Sequence, residues 1–598
     1  MQTRPKRSEV NIEDTWELET IYPTNETWEA DFAKVSAMQP GLLELQGHLG
    51  DSAQRLLEAL TRRDAAGDIL GRLFVYAYMR LHQDSTDNTY QAMADRVTTL
   101  ANDINTATAY QTPEILAIPQ ERLDALLMEE PRLQVYRHSL DEITRERPHI
   151  LTAEMEALMA QAAELGNAPE RIYEMFSTAD LKLPSVRDAD GNEVQLTQGN
   201  FVSHFLEGRD RDVRRTAFEA MFGTYESYRN TMAAMLGAQV KRNMFFARAR
   251  HYDSSLHAAL EPHNIPVSVY DNLISTVNSN LPVLHRYLTL RKKLLGLDDL
   301  HMYDLYVPMV PEVEYKVSFA EAQQQIAQAL APMGEEYVSV VRRGFSSRWI
   351  DVYENEGKRS GAYSWGSHRT NPFVLLNFHD TMDGMFTLAH EMGHSMHSYF
   401  TWQTQPYPYS SYTLFVAEVA STLNEALLTH SLLQTTTDRS LRMYVINHAL
   451  ETFRTTLYRQ TLFAEFERDM HAQAEAGEAL TPESLGAIFK RLNDTYYGPM
   501  VQVDDLIANE WARIPHFYSS FYVYQYATGI SASSALASQI LTEGQPAVDR
   551  YLRFLQAGSS DYSINLLRDA GVDLSTPAPV QEALNFFGRY LDDLEALL

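Results

Sequence analysis

The chain has 598 residues and a formal net charge of -29, from 50 basic and 79 acidic side chains. This balance argues against sequence-independent binding of DNA or RNA, which needs lysine and arginine to displace counterions. The absence of cysteine excludes disulfides and thiolate–metal chemistry, so a transition metal would be held chiefly by His, Asp and Glu.

The basic N-terminus has no apolar run behind it, and no stretch approaches the roughly 18 apolar residues of a membrane span. We therefore expect a cytoplasmic protein with no membrane or nucleic-acid partner. The length allows several domains, and two lobes around a cleft are a reasonable expectation.

Most of the sequence carries the apolar spacing of amphipathic helices. In the first third, the helices predicted from this spacing are 26–38, 53–62, 64–81, 86–106 and 153–165. Prolines are expected to mark the connections between them, at Pro40-Gly41, Pro113, Pro119 and Pro148. Farther on, the segment LPSVRDADGNEV has valine on both sides of an Asp-Gly pair, which predicts a β-hairpin within residues 183–194.

Residues 361–378, GAYSWGSHRTNPFVLLNF, combine glycines, aromatic residues and a β-prone run ahead of a predicted helix. One interpretation is a core strand that leads into this helix. The other is a strand whose exposed edge pairs with an extended peptide, which recognises a backbone without selecting side chains. The sequence leaves both interpretations open.

The pentapeptide HEMGH, from His390 to His394, is the most informative segment. Residues four apart lie one turn apart on the same helix face, so both imidazoles can reach one ion. Glu391 lies beside them and can accept a proton from a water whose pKa zinc lowers towards about 7. Asp380 or Thr381 is expected to cap this helix. A structural zinc site, or two surface histidines beside a solvated glutamate, is the alternative.

Two histidines leave a third protein ligand to find. His397 lies on the same helix, but three ligands from one straight helix would strain a tetrahedral site. The following run, SSYTLFVAEVASTLNEALLTH, is apolar most of the way round a helix and should be largely buried. Its narrow polar stripe carries Glu418 and Glu425, and buried carboxylates seldom lack a partner. We predict Glu418 as the metal ligand and Glu425 as an acceptor for a ligand histidine N–H. A polar stripe that meets solvent is the alternative.

Several separate segments together resemble oligoendopeptidase F of the M3, or thimet oligopeptidase-like, metallopeptidases. They are WELETIYP, LKLPSVRDADGNEV, GAYSWG, HEMGH, FVAEVASTLNE and IPHFYSSFYVYQYATG, and they span nearly the whole chain. The resemblance implies a mainly α, two-lobed fold with a deep substrate channel and a small β-sheet next to the active-site helix. It places an N-terminal helical domain at residues 1–200 and the catalytic domain at residues 201–598.

The resemblance further implies one zinc ion held by His390, His394 and Glu418, with Glu391 as general base. The function it implies is zinc-dependent hydrolysis of internal bonds in short oligopeptides, by a monomer or small homo-oligomer. One alternative is a zinc carboxypeptidase or dipeptidyl peptidase on a similar helical fold. It would need groups that hold a substrate terminus, for which the candidates are Arg342, Arg343, Arg348 and Arg369. A non-catalytic peptide-binding scaffold with an inert metal site is the other alternative.

In the late segment, the resemblance places transition-state groups. His516 matches the family's histidine, whereas Phe521 stands where related oligopeptidases have a tyrosine five residues on. If the segment is helical, Tyr518, Tyr522 and Tyr526 share one face. The resemblance favours Tyr526, and then Tyr522, as the donor to the developing oxyanion, a role worth about 3 kcal/mol in the transition state. An aromatic packing stripe is the alternative.

Overall fold

The computed structural model describes residues 4–310 and 315–598, and they are mainly α-helical, as predicted. Within residues 4–310, the α-helices are α1 (Asn25–Leu43), α2 (Ala53–Gln83), α3 (Asn88–Thr108), α4 (Gln111–Ala117), α5 (Gln120–Glu129), α6 (Arg137–Arg145), α7 (Ala153–Gly166), α8 (Ala168–Met175), α9 (Gln198–Asn200), α10 (Arg211–Ser227), α11 (Arg229–Ala249), α12 (Ser255–Leu260), α13 (Val267–Ser279) and α14 (Leu281–Leu294). Within residues 315–598, they are α15 (Phe319–Ala329), α16 (Gly334–Ser346), α17 (Met382–Thr404), α18 (Leu414–Thr435), α19 (Arg439–Phe453), α20 (Arg459–Glu475), α21 (Pro482–Tyr497), α22 (Tyr524–Glu543), α23 (Gln545–Ala557), α24 (Ser563–Asp569) and α25 (Ala578–Ala596).

Two of the predicted helix boundaries in the first third are wrong. Helix α2 is continuous across Arg63, where two helices were predicted. No glycine or proline lies at this position to end the helix. The Arg63 guanidinium pairs with the neighbouring Asp64 carboxylate at 3.1 Å. Helix α1 runs through Pro40, which was expected to lie in a connection. Pro40 occupies the last turn, where its missing N–H removes a single helical hydrogen bond.

Two of the other prolines lie in connections, as predicted. Pro119 caps the start of α5, and Pro148 lies in a short 3-10 turn between α6 and α7. The expectation that Pro113 marks a connection is wrong. It lies inside α4, in the first turn, where a backbone N–H has no partner within the helix.

The predicted hairpin is confirmed by two short antiparallel strands, β1 (Ser185–Arg187) and β2 (Glu193–Gln195). Val186 lies opposite Val194, so the valines on either side of the Asp-Gly pair face each other across the turn. Gly191 in that turn has φ of 83°, a backbone conformation that glycine adopts without a side-chain penalty.

A three-stranded sheet packs against α17. Its strands are β3 (Ile350–Asp351), β4 (Tyr363–Trp365) and β5 (Phe373–Leu375), in the order β3-β5-β4. Strand β5 is buried and pairs in parallel with β3 and antiparallel with β4. The segment 361–378 therefore forms two strands, and among the described residues β4 lies at the edge of its sheet. A small sheet beside the active-site helix was predicted, and it is present.

The chain divides into two compact units, each discontinuous in sequence. Unit 1 contains residues 4–147, 315–434 and 533–572. Unit 2 contains residues 148–310, 435–532 and 573–598. The boundary predicted at residue 200 divides the sequence differently and remains a proposal.

The core of unit 1 joins the first helices to the sheet. Trp16 and Trp28 are buried there together with Phe373 of β5. Their indole N–H groups do not go unpaired, because Trp16 donates to the Gln83 side chain and Trp28 to the Leu73 carbonyl, both at 2.9 Å. This core fixes the sheet beside α17. None of the helices described is long and apolar enough to cross a membrane.

Candidate metal centre

The predicted metal motif lies in the middle of α17. The Thr381 hydroxyl accepts a hydrogen bond from the Gly384 N–H at 3.1 Å and caps the helix, one of the two predicted caps. Met385 and Ala389 are fully buried and hold the inner face of the helix in the core of unit 1. The helix thereby presents His390 and His394 on one face, one turn apart.

The three predicted ligands converge in the structure. The Nε2 atoms of His390 and His394 are 3.2 Å apart. The Oε2 atom of Glu418, on α18, lies 3.4 Å from the first and 3.6 Å from the second. One ligand atom from each residue lies within 4.8 Å of the other two. Helical spacing alone could not predict the approach of Glu418 to the two histidines, because this approach depends on how α18 packs against α17.

A second layer of hydrogen bonds orients these groups. The Glu425 carboxylate accepts from His390 Nδ1 at 2.6 Å, which leaves Nε2 as the atom through which this ring would bind a metal. The Ser421 hydroxyl donates to Glu418 Oε2 at 2.9 Å. The His390 pKa reflects this setting: burial alone lowers it, but the hydrogen bond and charge of Glu425 outweigh burial and raise it to about 9.

Glu391 lies beside these groups, but its side chain has different contacts. Its side chain is 6% exposed, and its Oε2 atom has no hydrogen-bond partner among the described residues. Burial raises the pKa of this carboxyl to about 7, with the His390 and Glu418 charges acting in opposite directions. A buried carboxyl with an idle oxygen and a pKa near neutrality can take up or release a proton at physiological pH.

His397 lies outside the convergent group. It is 1% exposed, and its ring stacks on Tyr412 with centroids 3.7 Å apart and planes 2° apart. Burial lowers the His397 pKa to about 3, so the ring is neutral at physiological pH. It acts as a packing residue, in line with the argument that one straight helix does not supply three ligands.

Close packing of α17 against α18 holds the two halves of the site together. A Cβ atom on Gly393 would lie 2.5 Å from the Cα atom of Ser421, so only glycine fits there. Beside it, the Asn424 side chain donates to the Ala389 carbonyl at 3.1 Å. Its amide oxygen accepts from the Tyr337 hydroxyl at 2.8 Å. Sequence reasoning missed Asn424, although a lone amide among the apolar residues of α18 was a signal for it.

The three predicted transition-state groups, His516, Tyr522 and Tyr526, lie in unit 2 and form a cluster. The rings of His516 and Tyr522 are stacked with centroids 6.0 Å apart, and Tyr526 lies 5.5 Å from Tyr522 and 6.2 Å from His516. Their relation to the metal ligands remains a prediction. The shared helical face with Tyr518 is wrong, because α22 begins only at Tyr524. Tyr518 lies before that helix and stacks on Tyr173 at 4.3 Å.

Comparison with known proteins decides the family. The model of peptidase family M3 matches residues 204–586, and the Oligopeptidase F model matches residues 114–182. The chain belongs to peptidase family M3. Among its relatives, Oligopeptidase PepF of Bacillus subtilis is 50% identical over 99% of this chain and 88% of its own length. Group B oligopeptidase PepB of Streptococcus agalactiae is 42% identical over 99% and 98% of the two chains.

Solved structures agree with this M3 assignment. Oligoendopeptidase-F from Enterococcus faecium superposes with a TM-score of 0.74 at 38% identity, covering 96% of this chain and 99% of that chain. A crystal structure from Chlamydophila abortus gives a TM-score of 0.94 at 36% identity over both entire chains. The protein is accordingly a metalloendopeptidase of the oligopeptidase type.

The donor set of this M3 peptidase fits a divalent metal. Zinc–nitrogen and zinc–oxygen bonds of about 2.0–2.1 Å in a tetrahedron place neighbouring ligand atoms about 3.3 Å apart. The three observed separations are 3.2, 3.4 and 3.6 Å. Lone pairs of two imidazoles and a carboxylate that face one point repel each other unless a cation lies between them. The residues present can hold such an ion.

Proposed function

We propose that the protein is a zinc-dependent oligoendopeptidase in which His390, His394 and Glu418 hold one zinc ion and Glu391 is the general base. The observation that carries the proposal is the convergence of three ligand atoms beside the unpartnered Oε2 atom of Glu391. When bound, zinc would polarise the scissile carbonyl and lower the pKa of a water at the site.

The chain's own residues supply the proton transfers. Glu391 Oε2, free of other hydrogen bonds, accepts a proton from the attacking water and delivers it to the leaving amine. With the metal bound through Nε2, Glu425 would keep the remaining proton of His390 on Nδ1 through the 2.6 Å contact. By the family resemblance, Tyr526 or Tyr522, together with His516, would donate to the oxyanion that develops on the substrate.

We further propose that the substrate is a short peptide bound in extended form along β4. Ser364 in the middle of this edge strand is tied to α17, since its hydroxyl lies 2.8 Å from that of Ser395. Its backbone is also hydrogen-bonded to the Glu391 carboxyl. A peptide paired with this edge would present its backbone to the general base with little selection of side chains.

The carboxypeptidase alternative is disfavoured by the partners of its candidate arginines. Arg348 donates to the Thr15 carbonyl at 3.1 Å, and Arg369 lies 3.5 Å from Asp68. Arg343 lies over the Tyr399 ring at 4.7 Å, and Arg342 pairs with Glu335 at 3.4 Å. A cytoplasmic location, the lack of a nucleic-acid partner, and a monomeric or small homo-oligomeric state remain proposals from the sequence.

The test uses an internally quenched peptide blocked at both ends, with cleavage sites mapped by mass spectrometry. Glu391→Gln is expected to lower kcat by a factor of about 10² to 10⁴ while zinc content stays at one ion per chain. Asp383→Asn, an exposed carboxylate on the same helix, is the matched control and should leave kcat unchanged. Normal cleavage by Glu391→Gln would rule out the assigned base. Failure of the wild type to cut a blocked peptide would favour an exopeptidase or an inert scaffold.

A further inference from the structure

The segment from Pro515 to Val523 carries two members of the aromatic cluster and leads directly to the third. His516 is exposed, and Tyr522 and Tyr526 are partly exposed. Between them lie the buried side chains of Phe517 and Phe521, which are 0% and 3% exposed. The cluster therefore rests on a buried support, and its geometry depends on how this support is held.

Phe521 has a strained backbone conformation that its surroundings must stabilise. Its φ is 58°, in the left-handed region where residues with a Cβ atom are rare and strained. This reversal of the chain separates the 3-10 turn of His516 from α22 and places the Tyr522 ring parallel to the His516 ring, with 7° between the planes. A residue in this region persists only where its surroundings fix it.

A buried carboxyl supplies the fixing contact. The Phe521 N–H donates to Glu467 Oε1, on α20, at 2.8 Å. Glu467 is fully buried, and its other oxygen has no hydrogen-bond partner among the described residues. Burial raises the Glu467 pKa to about 8, so the carboxyl is mostly neutral at pH 7. A buried carboxyl with one oxygen hydrogen-bonded and the other without a partner costs folding free energy, so stability alone does not explain its presence.

Neighbouring side chains hold the same segment from α11. The Gln239 amide donates to the Tyr518 carbonyl at 3.0 Å, and the Asn243 amide donates to the Ser520 hydroxyl at 2.5 Å. Together with the Glu467 contact, these bonds fix positions 518, 520 and 521.

His471 connects the two sets of contacts. Its Nδ1 donates to the Glu467 carbonyl at 2.8 Å, its Nε2 accepts from Asn243 at 3.0 Å, and its ring packs on Phe521 with centroids 4.5 Å apart. Because both ring nitrogens are used in this way, His471 is neutral with its proton on Nδ1. The polar support is continuous from α20 to α11.

We propose that Glu467 is a positioning residue for peptide hydrolysis: by accepting the Phe521 N–H it holds the left-handed turn that sets His516, Tyr522 and Tyr526 in their catalytic arrangement. The proposal rests on the function assigned to that cluster above. It assigns a role to a residue that belongs neither to the proposed ligand set nor to the aromatic cluster.

Backbone variants at Phe521 test the turn directly. Phe521→Pro removes the N–H and cannot adopt a positive φ, whereas Phe521→Gly keeps the N–H and adopts that φ freely but loses the ring. We expect Phe521→Pro to lower kcat at least tenfold with KM within threefold, and Phe521→Gly to stay within threefold in both. Equal losses in the two variants would mean that the ring, and not the hydrogen-bonded turn, matters, and would overturn the proposal.

Variants at the carboxyl test the other partner. Glu467→Met is expected to lower kcat at least tenfold, and Glu467→Gln, which keeps an acceptor, to restore it to within threefold of wild type. Glu465→Met is the matched control: Glu465 lies on the same helix and accepts from Tyr496 and Asn278 at 3.0 and 2.9 Å. The Glu465→Met variant should have a lower melting temperature but an unchanged kcat per folded molecule. The inference would be wrong if Glu467→Met has the same kcat as the wild type. It would also be wrong if the loss of kcat is explained by unfolded protein or by missing zinc.

Failure of the inference and failure of the proposed function give different results. If the wild type cuts blocked peptides, Glu391→Gln does not, and Glu467→Met cuts normally, only the positioning role is wrong. If Glu391→Gln also cuts, the assigned mechanism is wrong whatever Glu467 does.

Discussion

Substituting Gly393 by alanine should separate the proposed metal ligands without changing any of them. The added Cβ would lie 2.5 Å from the Ser421 Cα and 2.7 Å from the backbone carbon of Ala420. These are backbone atoms of α18 and cannot rotate away. Ordinary contact begins near 3.4 Å, so α18 must move about 1 Å away from α17 at this point.

A displacement of this size would move Glu418, the proposed third ligand. Glu418 lies three residues before Ser421 on the same helix, and its Oε2 is 3.4 and 3.6 Å from the two imidazole nitrogens. Metal–ligand distances tolerate only about 0.2 Å of error. We therefore expect Gly393→Ala to weaken zinc binding at least 100-fold, about 2.7 kcal/mol. Overpacking should also cost about 1–3 kcal/mol of unfolding free energy.

Zinc affinity is measured by competition with a chromophoric chelator, and stability by chemical denaturation of the metal-free protein. Gly223→Ala is the control, since Gly223 lies inside α10 with nothing within 4 Å of the added Cβ. It should leave zinc affinity unchanged and stabilise the protein by up to about 1 kcal/mol through helix propensity. Zinc affinity within threefold of wild type in Gly393→Ala would refute the reasoning, because it would mean that the two helices can part without disturbing the ligands.

Two further predictions concern charge. Glu425→Gln removes the negative partner of His390 Nδ1 and should weaken zinc binding by about 10- to 100-fold in the same competition assay; an unchanged affinity would show that the charge of Glu425 is dispensable. Glu467 keeps its proton in the folded protein up to pH about 8 but loses it near pH 4.5 in the unfolded chain. The free energy of unfolding therefore falls as the pH rises between these values, and it levels off above pH about 8. The stability advantage of Glu467→Gln over wild type should therefore grow by a few kcal/mol between pH 5 and pH 8 in urea titrations, and a pH-independent difference would contradict the assignment.

Local rules predicted much of the candidate metal centre. Helical periodicity places His390 and His394 on one face because it depends only on residues within the helix. The polar stripe of α18 singled out Glu418 and Glu425 because carboxylates among apolar neighbours need partners. The hairpin at residues 183–194 was likewise recognisable from its turn residues.

The missed features depend on distant parts of the chain. The approach of Gly393 to α18 and the bond from Glu467 to Phe521 join segments whose pairing no local pattern specifies. The assumption of one helical face from Tyr518 to Tyr526 failed for the same reason. That run is not one helix, because a buried contact from α20 stabilises a left-handed residue in its middle.

The proposed ligand set lies in one short stretch of chain, and this has a consequence for how the protein folds. Both histidines and the carboxylate lie between residues 390 and 418, on consecutive helices, whereas unit 1 as a whole is gathered from three separate stretches of sequence. Closing so small a loop costs little chain entropy compared with joining the distant stretches. An ion can therefore be captured by this helical pair early during folding, and it then favours the pairing that the remaining segments pack upon.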